Sequence, residues 1–278
     1  MAEPSWEQEK DQRFRFGKNW QEFLRCLDER RIEKSMETLK QGLGITSLEG
    51  KTFLDAGSGS GLFSLAARRL GARVRSFDYD HDSVACTRYL RDQYYPGDDD
   101  WQVEQGSVLD DAYMESLGQF DVVYSWGVLH HTGSMWHALE NAGKRVITGG
   151  RLYVAIYNDA GRSSRLWWRL KKWYVEHVWL RPFIVAYGFV TMRSGWILRG
   201  ILKGKPLSVW NSYQEKYRGM SAWRDLIDWV GGFPYECARP EEIFAFYRLR
   251  GFQLEWLSTV ISGIGCNEFV FKKTDQKN

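Results

Sequence analysis

The chain has 278 residues and a mass of 32.5 kDa, enough for one α/β domain with additions or for two small domains, and for a sizeable hydrophobic core. Hydrophobic residues at 44% and charged residues at 26% exclude disorder as the dominant state, and a net charge of +3 argues against a general nucleic-acid binder. The aromatic complement of 14 Trp, 14 Tyr and 15 Phe exceeds what such a core needs, which points to a planar, amphipathic or lipidic ligand.

The first residues carry no apolar stretch after a basic start, so no secretory signal is read and a cytoplasmic location is expected. Residues 17–43 place Phe23, Leu27, Ile32, Met36 and Leu39 at helical spacing, a cap over residues 1–50 that packs on one end of the core. Residues 51–157 alternate short apolar strands with helices, the pattern of a parallel sheet, because parallel strands need helical crossovers. Strands are expected at 52–54, 74–77, 101–104, 120–125 and 151–157. A helix at 62–70 presents Leu62, Leu65, Ala66 and Leu70 on one side, and Asp82 or Ser83 caps a second that runs to Asp92. Gly118 and the pair Gly149-Gly150 are read as turns before buried strands.

An insertion follows over residues 158–238. Its segment 162–205 holds ten Lys or Arg against the single acid Glu176, with nine aromatics, so it carries +9 while the remaining chain sums to −6. Pro240 then opens a helix, and strands at 252–257 and 268–272 close a last unit over 239–278. The longest apolar run, at 178–192, is interrupted by Arg181 and is too short to span a bilayer. Cys26, Cys86, Cys237 and Cys266 lie far apart without a Cys-x-x-Cys pair, so reduced thiols are expected and no metal site is read.

The chemistry begins at Asp55-Ala56-Gly57-Ser58-Gly59-Ser60-Gly61, between the first strand and the first helix. Three alternate glycines let the backbone turn tightly and lie against a ligand, and Asp78, just after the second strand, can accept both hydroxyls of a ribose. The third glycine comes two positions after the second rather than three, which departs from the dinucleotide fingerprint. A nucleoside cofactor fits better.

Asp55-x-Gly57-x-Gly59-x-Gly61, with Asp78, Gly106-Ser107-Val108 and Phe120-Asp121-Val122-Val123, resembles the class I S-adenosylmethionine (SAM)-dependent methyltransferases over about residues 50–157. The resemblance implies an α/β, Rossmann-like seven-stranded sheet with helices on both faces and a final antiparallel strand. To this the sequence adds a helical lid insertion. It also implies SAM as cofactor, with Asp55, Gly57, Ser58, Gly59 and Gly61 at its methionine end, Asp78 at the ribose, and Ser107 and Val108 at the adenine. The family often has Asp where Ser107 stands. Tyr79 either covers the adenine face or is a surface aromatic at a helix cap, and Trp126, ending the fourth strand, is placed on the cofactor side.

Methyl transfer from a sulfonium is an in-line displacement in which the protein aligns the nucleophile, and an acidic acceptor must also lose a proton. His130 and His131 follow the fourth strand at the sheet's C-terminal edge, where open α/β sheets place their sites. The Leu129-His130-His131 stretch is similar to small-molecule methyltransferases whose second histidine approaches the acceptor. His131 is therefore the expected base, and His130 either packs beneath the site or faces the acceptor. Tyr157-Asn158-Asp159-Ala160-Gly161-Arg162-Ser163 resembles the quinone-biosynthesis O-methyltransferases, in which an Asn, a Gly and a Ser precede a lipid-facing helix. On that likeness Tyr157 and Asn158 would meet the acceptor and Asp159 would assist the base.

The segment 16–20 is expected to reach the cofactor as a second lid element; its Trp20, and Trp223 in the segment 218–225, are further candidates for the acceptor side, and residues 228–236 are expected to close over it. The segment 162–205 reads as a lid, as an interfacial contact on the inner face of a membrane, or as an RNA contact. The function expected is methylation of a small molecule at a phenolic or sugar hydroxyl. An S-methyltransferase for a small thiol, an RNA methyltransferase and a non-catalytic SAM-binding adaptor at a membrane surface are the alternatives. The sequence leaves the oligomeric state open.

Overall fold

A computed structural model describes residues 20, 24, 27–202, 222–260 and 263–275, with the side chains at 193–202, 222–225 and 228 outside the description. Its seven strands are β1 Thr52–Ala56, β2 Arg73–Asp78, β3 Trp101–Gln105, β4 Phe120–Trp126, β5 Val146–Tyr157, β6 Phe252–Ser258 and β7 Cys266–Lys273. They form one sheet in the order β3-β2-β1-β4-β5-β7-β6. Strands β1 to β5 pair in parallel, whereas β7 runs antiparallel to both β5 and β6.

Side-chain alternation along each strand builds two cores, one on each face of the sheet. Phe53, Val74, Trp101, Tyr124 and Tyr153 face helices α1 (Glu29–Leu43), α2 (Leu62–Arg69) and α3 (His81–Tyr94), which contribute Ile32, Leu39, Leu65, Ala66, Val84 and Leu90. Leu54, Phe77, Val123, Leu152 and Phe269 face the other way. They meet α4 (Asp111–Ser116), α5 (Met135–Lys144) and α9 (Pro240–Arg248) through Met114, Leu139, Ile243 and Tyr247. Each large apolar side chain buried in this way contributes about 1.5–3 kcal/mol.

Two local readings are corrected. Helix α3 is capped by Asp80, whose carboxylate accepts from the Asp82 amide at 3.0 Å; Ser83 is buried inside the helix. Strand β5 begins at Val146, five residues earlier than expected, and Gly149-Gly150 lie within it rather than before it. The pair sits where the register with β4 shifts between Phe120 and Val122. Gly149 adopts φ +81°, and a Cβ on Gly150 would stand 2.8 Å from the Asp121 carbonyl oxygen, so glycine lets the bulged strand close on its neighbour.

Between β5 and α9 lie α6 (Arg162–Glu176), α7 (Arg181–Leu202) and α8 (Ala222–Gly231). These helices bury Trp167, Tyr174, Ile184, Leu226 and Val230 against one another, a third core apart from the sheet. Trp167 is thus an interior residue, with its ring centroid 4.3 Å from that of Trp229. Among the described residues no helix is long and apolar enough to cross a membrane. Strand β1 has β2 on one side and β4 on the other, so the strand order reverses there and opens a crevice beyond the strands' C-terminal ends.

Candidate active site

The loop after β1 is held at that crevice by backbone and by packing. The amides of Gly57 and Ser58 both donate to the Phe77 carbonyl, at 2.8 and 3.0 Å. Gly57, Gly59 and Gly61 have φ of +89°, +55° and +80°. A Cβ on Gly57 would lie 2.4 Å from Val128, just past β4, and one on Gly61 would lie 2.9 Å from the Thr87 backbone of α3. The glycines therefore answer a steric demand as well as a conformational one. Thr87 supports the loop further, since its hydroxyl meets that of Ser58 at 2.9 Å and donates to the Gly59 carbonyl.

Asp78 ends β2 beside this loop. Its Oδ2 accepts the Gly59 amide and its Oδ1 the Asp80 amide, both at 2.9 Å, and each oxygen keeps acceptor capacity for a hydroxyl. Desolvation raises its pKa to about 6, with the amide hydrogen bonds opposing. The Gly106 amide donates to the Asp78 carbonyl at 3.0 Å, which brings Ser107 and Val108 alongside. Ser107 Oγ accepts the Leu109 amide, and the carbonyl of buried Val108 accepts Asn141 Nδ2. Tyr79 is half-buried next to Asp78, with its carbonyl held by Gln105 Nε2. Trp126 packs with the core on the α1–α3 face of the sheet. Trp20 lies over the glycine loop, its indole 3.1 Å from where a Gly59 Cβ would stand.

Asp55 points beneath the loop. Trp101 Nε1, which can only donate, bonds Ser76 Oγ at 3.0 Å; Ser76 then donates to Ser64 Oγ at 2.7 Å, and Ser64 to Asp55 Oδ2 at 2.5 Å. Every proton in this buried chain has one direction. Burial of Asp55 raises its pKa to about 7; the Ser64 hydrogen bond opposes this and the Asp78 charge adds to it. Because this folded value exceeds the ordinary carboxyl value, the group stabilises the fold fully below about pH 4 and loses that contribution as pH rises through about 7. The Asp55→Asn protein, which keeps an acceptor for Ser64, is expected to melt several degrees higher than wild type at pH 8 without ligand. Near pH 4 the two should melt together. A pH-independent difference in thermal scans would refute the assignment.

The expected acceptor side centres on a 3₁₀ turn at Leu129–His131. His131 Nδ1 lies 2.6 Å from the Pro234 carbonyl, which can only accept, so in the neutral ring Nδ1 carries the proton and Nε2 does not. Burial, with a smaller contribution from nearby Lys171, lowers the His131 pKa to about 3, so the ring stays neutral through the physiological range. His130 is fully buried, its ring centroid 3.9 Å from that of Tyr157 and 4.5 Å from that of His131. Tyr157, ending β5, also meets His131 edge-on at 5.4 Å.

Asn158 and Asp159 are engaged elsewhere. Asn158 Nδ2 donates to the Gly263 carbonyl and its Oδ1 accepts from Asn267 Nδ2, tying the end of β5 to the β7 side. Asp159 Oδ1 accepts the Gly161 amide, and its charge acts on Cys237; the Pro234 carbonyl, not Asp159, orients His131. Trp223 falls within α8 with its side chain outside the described residues, as are residues 16–19 and 218–221. The expected closing segment 228–236 does reach the histidines: besides Pro234, the Glu236 amide donates to the His130 carbonyl and its carboxylate accepts the Met135 amide at the start of α5. Sequence reasoning missed Thr87 and Lys171. Lys171 is fully buried although it belongs to a strongly basic stretch, and the only signal was its helical phase with Trp167 and Tyr174.

A parallel sheet with an antiparallel penultimate position, a glycine cradle after β1 and a carboxylate at the end of β2 define an α/β protein that binds a nucleoside cofactor. The family model of the methyltransferase domain matches residues 20–183, and the chain belongs to this family, the SAM-dependent methyltransferases. It is 26% identical over 190 residues to the ubiquinone biosynthesis O-methyltransferase of Caulobacter sp. (strain K31), covering 66% of this chain and 69% of that one. It is 28% identical over 120 residues to the enzyme of the same name from Rhizobium rhizogenes (strain K84 / ATCC BAA-868), covering 43% and 46%. Among solved structures, magnesium protoporphyrin IX methyltransferase of Synechocystis PCC 6803 with bound SAM has a TM-score of 0.51 at 11% identity, covering 87% of this chain and 79% of that one. At that identity the likeness is one of fold.

Proposed function

We propose that this SAM-dependent methyltransferase methylates a hydroxyl, phenolic or sugar, of a small molecule, with His131 as the base. The carrying observation is the placement of His131, its Nδ1 fixed by the Pro234 carbonyl, at the same sheet edge as the glycine loop. SAM, when bound, supplies an activated methyl group on a sulfonium. The donor set present suits it: the Asp78 carboxylate for the ribose hydroxyls, the Gly59 cradle under Trp20, and the loop at Ser107 and Val108 for the base. Nε2 takes the hydroxyl proton as the oxygen attacks the methyl group, so that no free oxyanion has to form first, while Tyr157 and Tyr235, ring centroids 5.2 Å apart and tilted by 44°, pack beside the histidines. The names of the O-methyltransferases above support hydroxyl over thiol. Labelled SAM with parallel panels of phenols, sugars and small thiols tests this; transfer confined to thiols would replace it.

The insertion at α6–α8 serves in this reading as a lid whose α8 end reaches His131 through Pro234. A second role is favoured on its outer side, where Trp179 and Phe183 are 70% and 69% exposed, with Trp168, Trp173, Val178 and Val190 also exposed. Arg and Lys interleaved with these rings suit an anionic lipid surface. Sedimentation with vesicles is expected to require anionic lipid and to weaken with salt as the screening length falls below about 8 Å. It should fail for the Trp179→Ala, Phe183→Ala double variant with SAM affinity unchanged. Equal pelleting of the double variant would leave the lid role alone.

A further inference from the structure

Lys171 is 0% exposed, and its Nζ donates to the Trp229 carbonyl in the last turn of α8. Three rings stand around it: the ammonium lies 4.1 Å from the Trp229 centroid, 5.0 Å from that of Tyr235 and 5.9 Å from that of Tyr157. The carbonyl takes one N–H, and ring faces are weak partners for the others. No carboxylate among the described residues acts on this cation: Asp159 accepts the Gly161 amide and Glu236 the Met135 amide. The Cys266 thiol of β7 is the one group of the described residues whose charge, were it ionised, would favour the ammonium. Burial without a counter-charge pushes the Lys171 pKa well below the ordinary amine value.

His130 belongs to the same cluster. It is fully buried, with its ring centroid 3.9 Å from that of Tyr157, and neither ring nitrogen has a hydrogen-bond partner of good geometry among the described residues; the Ala155 carbonyl acts on the ring from outside that geometry. The His131 centroid lies 5.4 Å from that of Tyr157, and the charge of Lys171 disfavours protonation of both histidines. Three basic side chains thus border one tyrosine ring with no acid among them. Such a group is costly as it stands, because neither a charge nor a polar nitrogen is stable away from water without a partner. An anion supplies that partner.

We propose that Lys171 is the anion-binding residue of the acceptor site, and that the small molecule methylated carries a carboxylate that pairs with the Lys171 ammonium while its hydroxyl lies at the histidines. This rests on the reading of this edge as the acceptor site of a hydroxyl methyltransferase. Since His130, His131 and Lys171 all border the Tyr157 ring, a single-ring hydroxy acid is long enough to reach from the histidines to the ammonium. The acid enters as α6 and α8 part. Lys171 then keeps the Trp229 carbonyl and turns its remaining N–H groups from the ring faces to the carboxylate, and Trp229 and Tyr235 shield the pair from water. The insertion closes on the anion, because Lys171 comes from α6, Trp229 from α8 and Tyr235 from the segment that follows it.

The test is calorimetric binding to the full chain saturated with S-adenosylhomocysteine, with benzoate, 3-hydroxybenzoate and 3,4-dihydroxybenzoate each compared with its methyl ester. Wild type should bind at least one acid about 10- to 100-fold more tightly than its ester, the effect of a charge-assisted hydrogen bond. Lys171→Met should lose that preference by weakening the acid and not the ester, and Lys171→Arg should keep it. If Lys171→Met does not fold, Lys171→Gln is read the same way. Wild type that binds no acid more tightly than its ester would overturn the proposal, as would an undiminished preference in the folded Met or Gln variant. A lowered melting temperature with the preference intact would reduce Lys171 to a packing role and overturn it as well. Methyl transfer to 3-mercaptobenzoate and not to 3-hydroxybenzoate would replace the hydroxyl by a thiol, while the preference for acid over ester would still support the anion site.

Discussion

The His131→Ala enzyme is expected to turn over about 10² to 10⁴ times more slowly than wild type on a hydroxyl acceptor, with SAM affinity little changed. The size follows from losing a positioned proton acceptor whose tautomer the Pro234 carbonyl has already selected. The pH dependence differs from what an ordinary imidazole would give. With a pKa of about 3, His131 is unprotonated at any pH where the protein is assayed, so its own limb lies far into acid. The rise of rate between pH 5 and 7 should instead follow the cofactor site, and should persist in the His131→Ala residual activity. Single-turnover rates at subsaturating SAM measure this. Wild-type turnover in the variant would point to a thiol acceptor that needs no base, or to another group.

Asp78→Ala is expected to weaken SAM and S-adenosylhomocysteine by about 30- to 1000-fold, the effect of losing roughly 2 to 4 kcal/mol of charge-assisted hydrogen bonding to two hydroxyls. Part of that loss comes from the loop itself, because Asp78 Oδ2 also holds the Gly59 amide at 2.9 Å. Asp78→Asn keeps an acceptor and should lose less. Since burial raises the Asp78 pKa to about 6, the carboxylate that the diol needs is complete only above that value. Affinity should therefore fall as pH drops below about 6, and binding there should release a proton. Calorimetry in buffers of different ionisation enthalpy reads both the constant and the proton. Equal affinity in wild type and Asp78→Ala would remove Asp78 from the site.

The sequence by itself determined what depends on local pattern. Short apolar runs gave the seven strands, because a strand buried on both faces must be apolar whatever surrounds it, and the helix opened by Pro240 follows from the fixed φ of proline. The spacing of Asp55, Gly57, Gly59, Gly61 and Asp78 was legible for the same reason: a turn that must reach left-handed φ beside a strand end leaves glycine little alternative. Where the pattern was ambiguous, longer-range contacts decided. Gly149-Gly150 read as a turn and became a bulge, because the approach to Asp121 on β4 is invisible from β5 alone. Asn158 and Asp159 carried the right chemistry for a site, but their side chains are engaged by Gly263, Asn267 and Gly161.

The tertiary structure alone decided the state of His131. His131 is an unremarkable imidazole in the sequence, and it takes a carbonyl 103 residues away to choose its tautomer and burial to lower its pKa. Lys171 shows the same limit from the other side. Counted among ten cations in a 44-residue stretch, it reads as solvated charge; only the packing of α6 against α8 removes it from water and turns it towards the Trp229 carbonyl. Composition fixes how many charges a segment carries. Which one is buried depends on the helix that covers it, and that is set by contacts between residues remote in the chain.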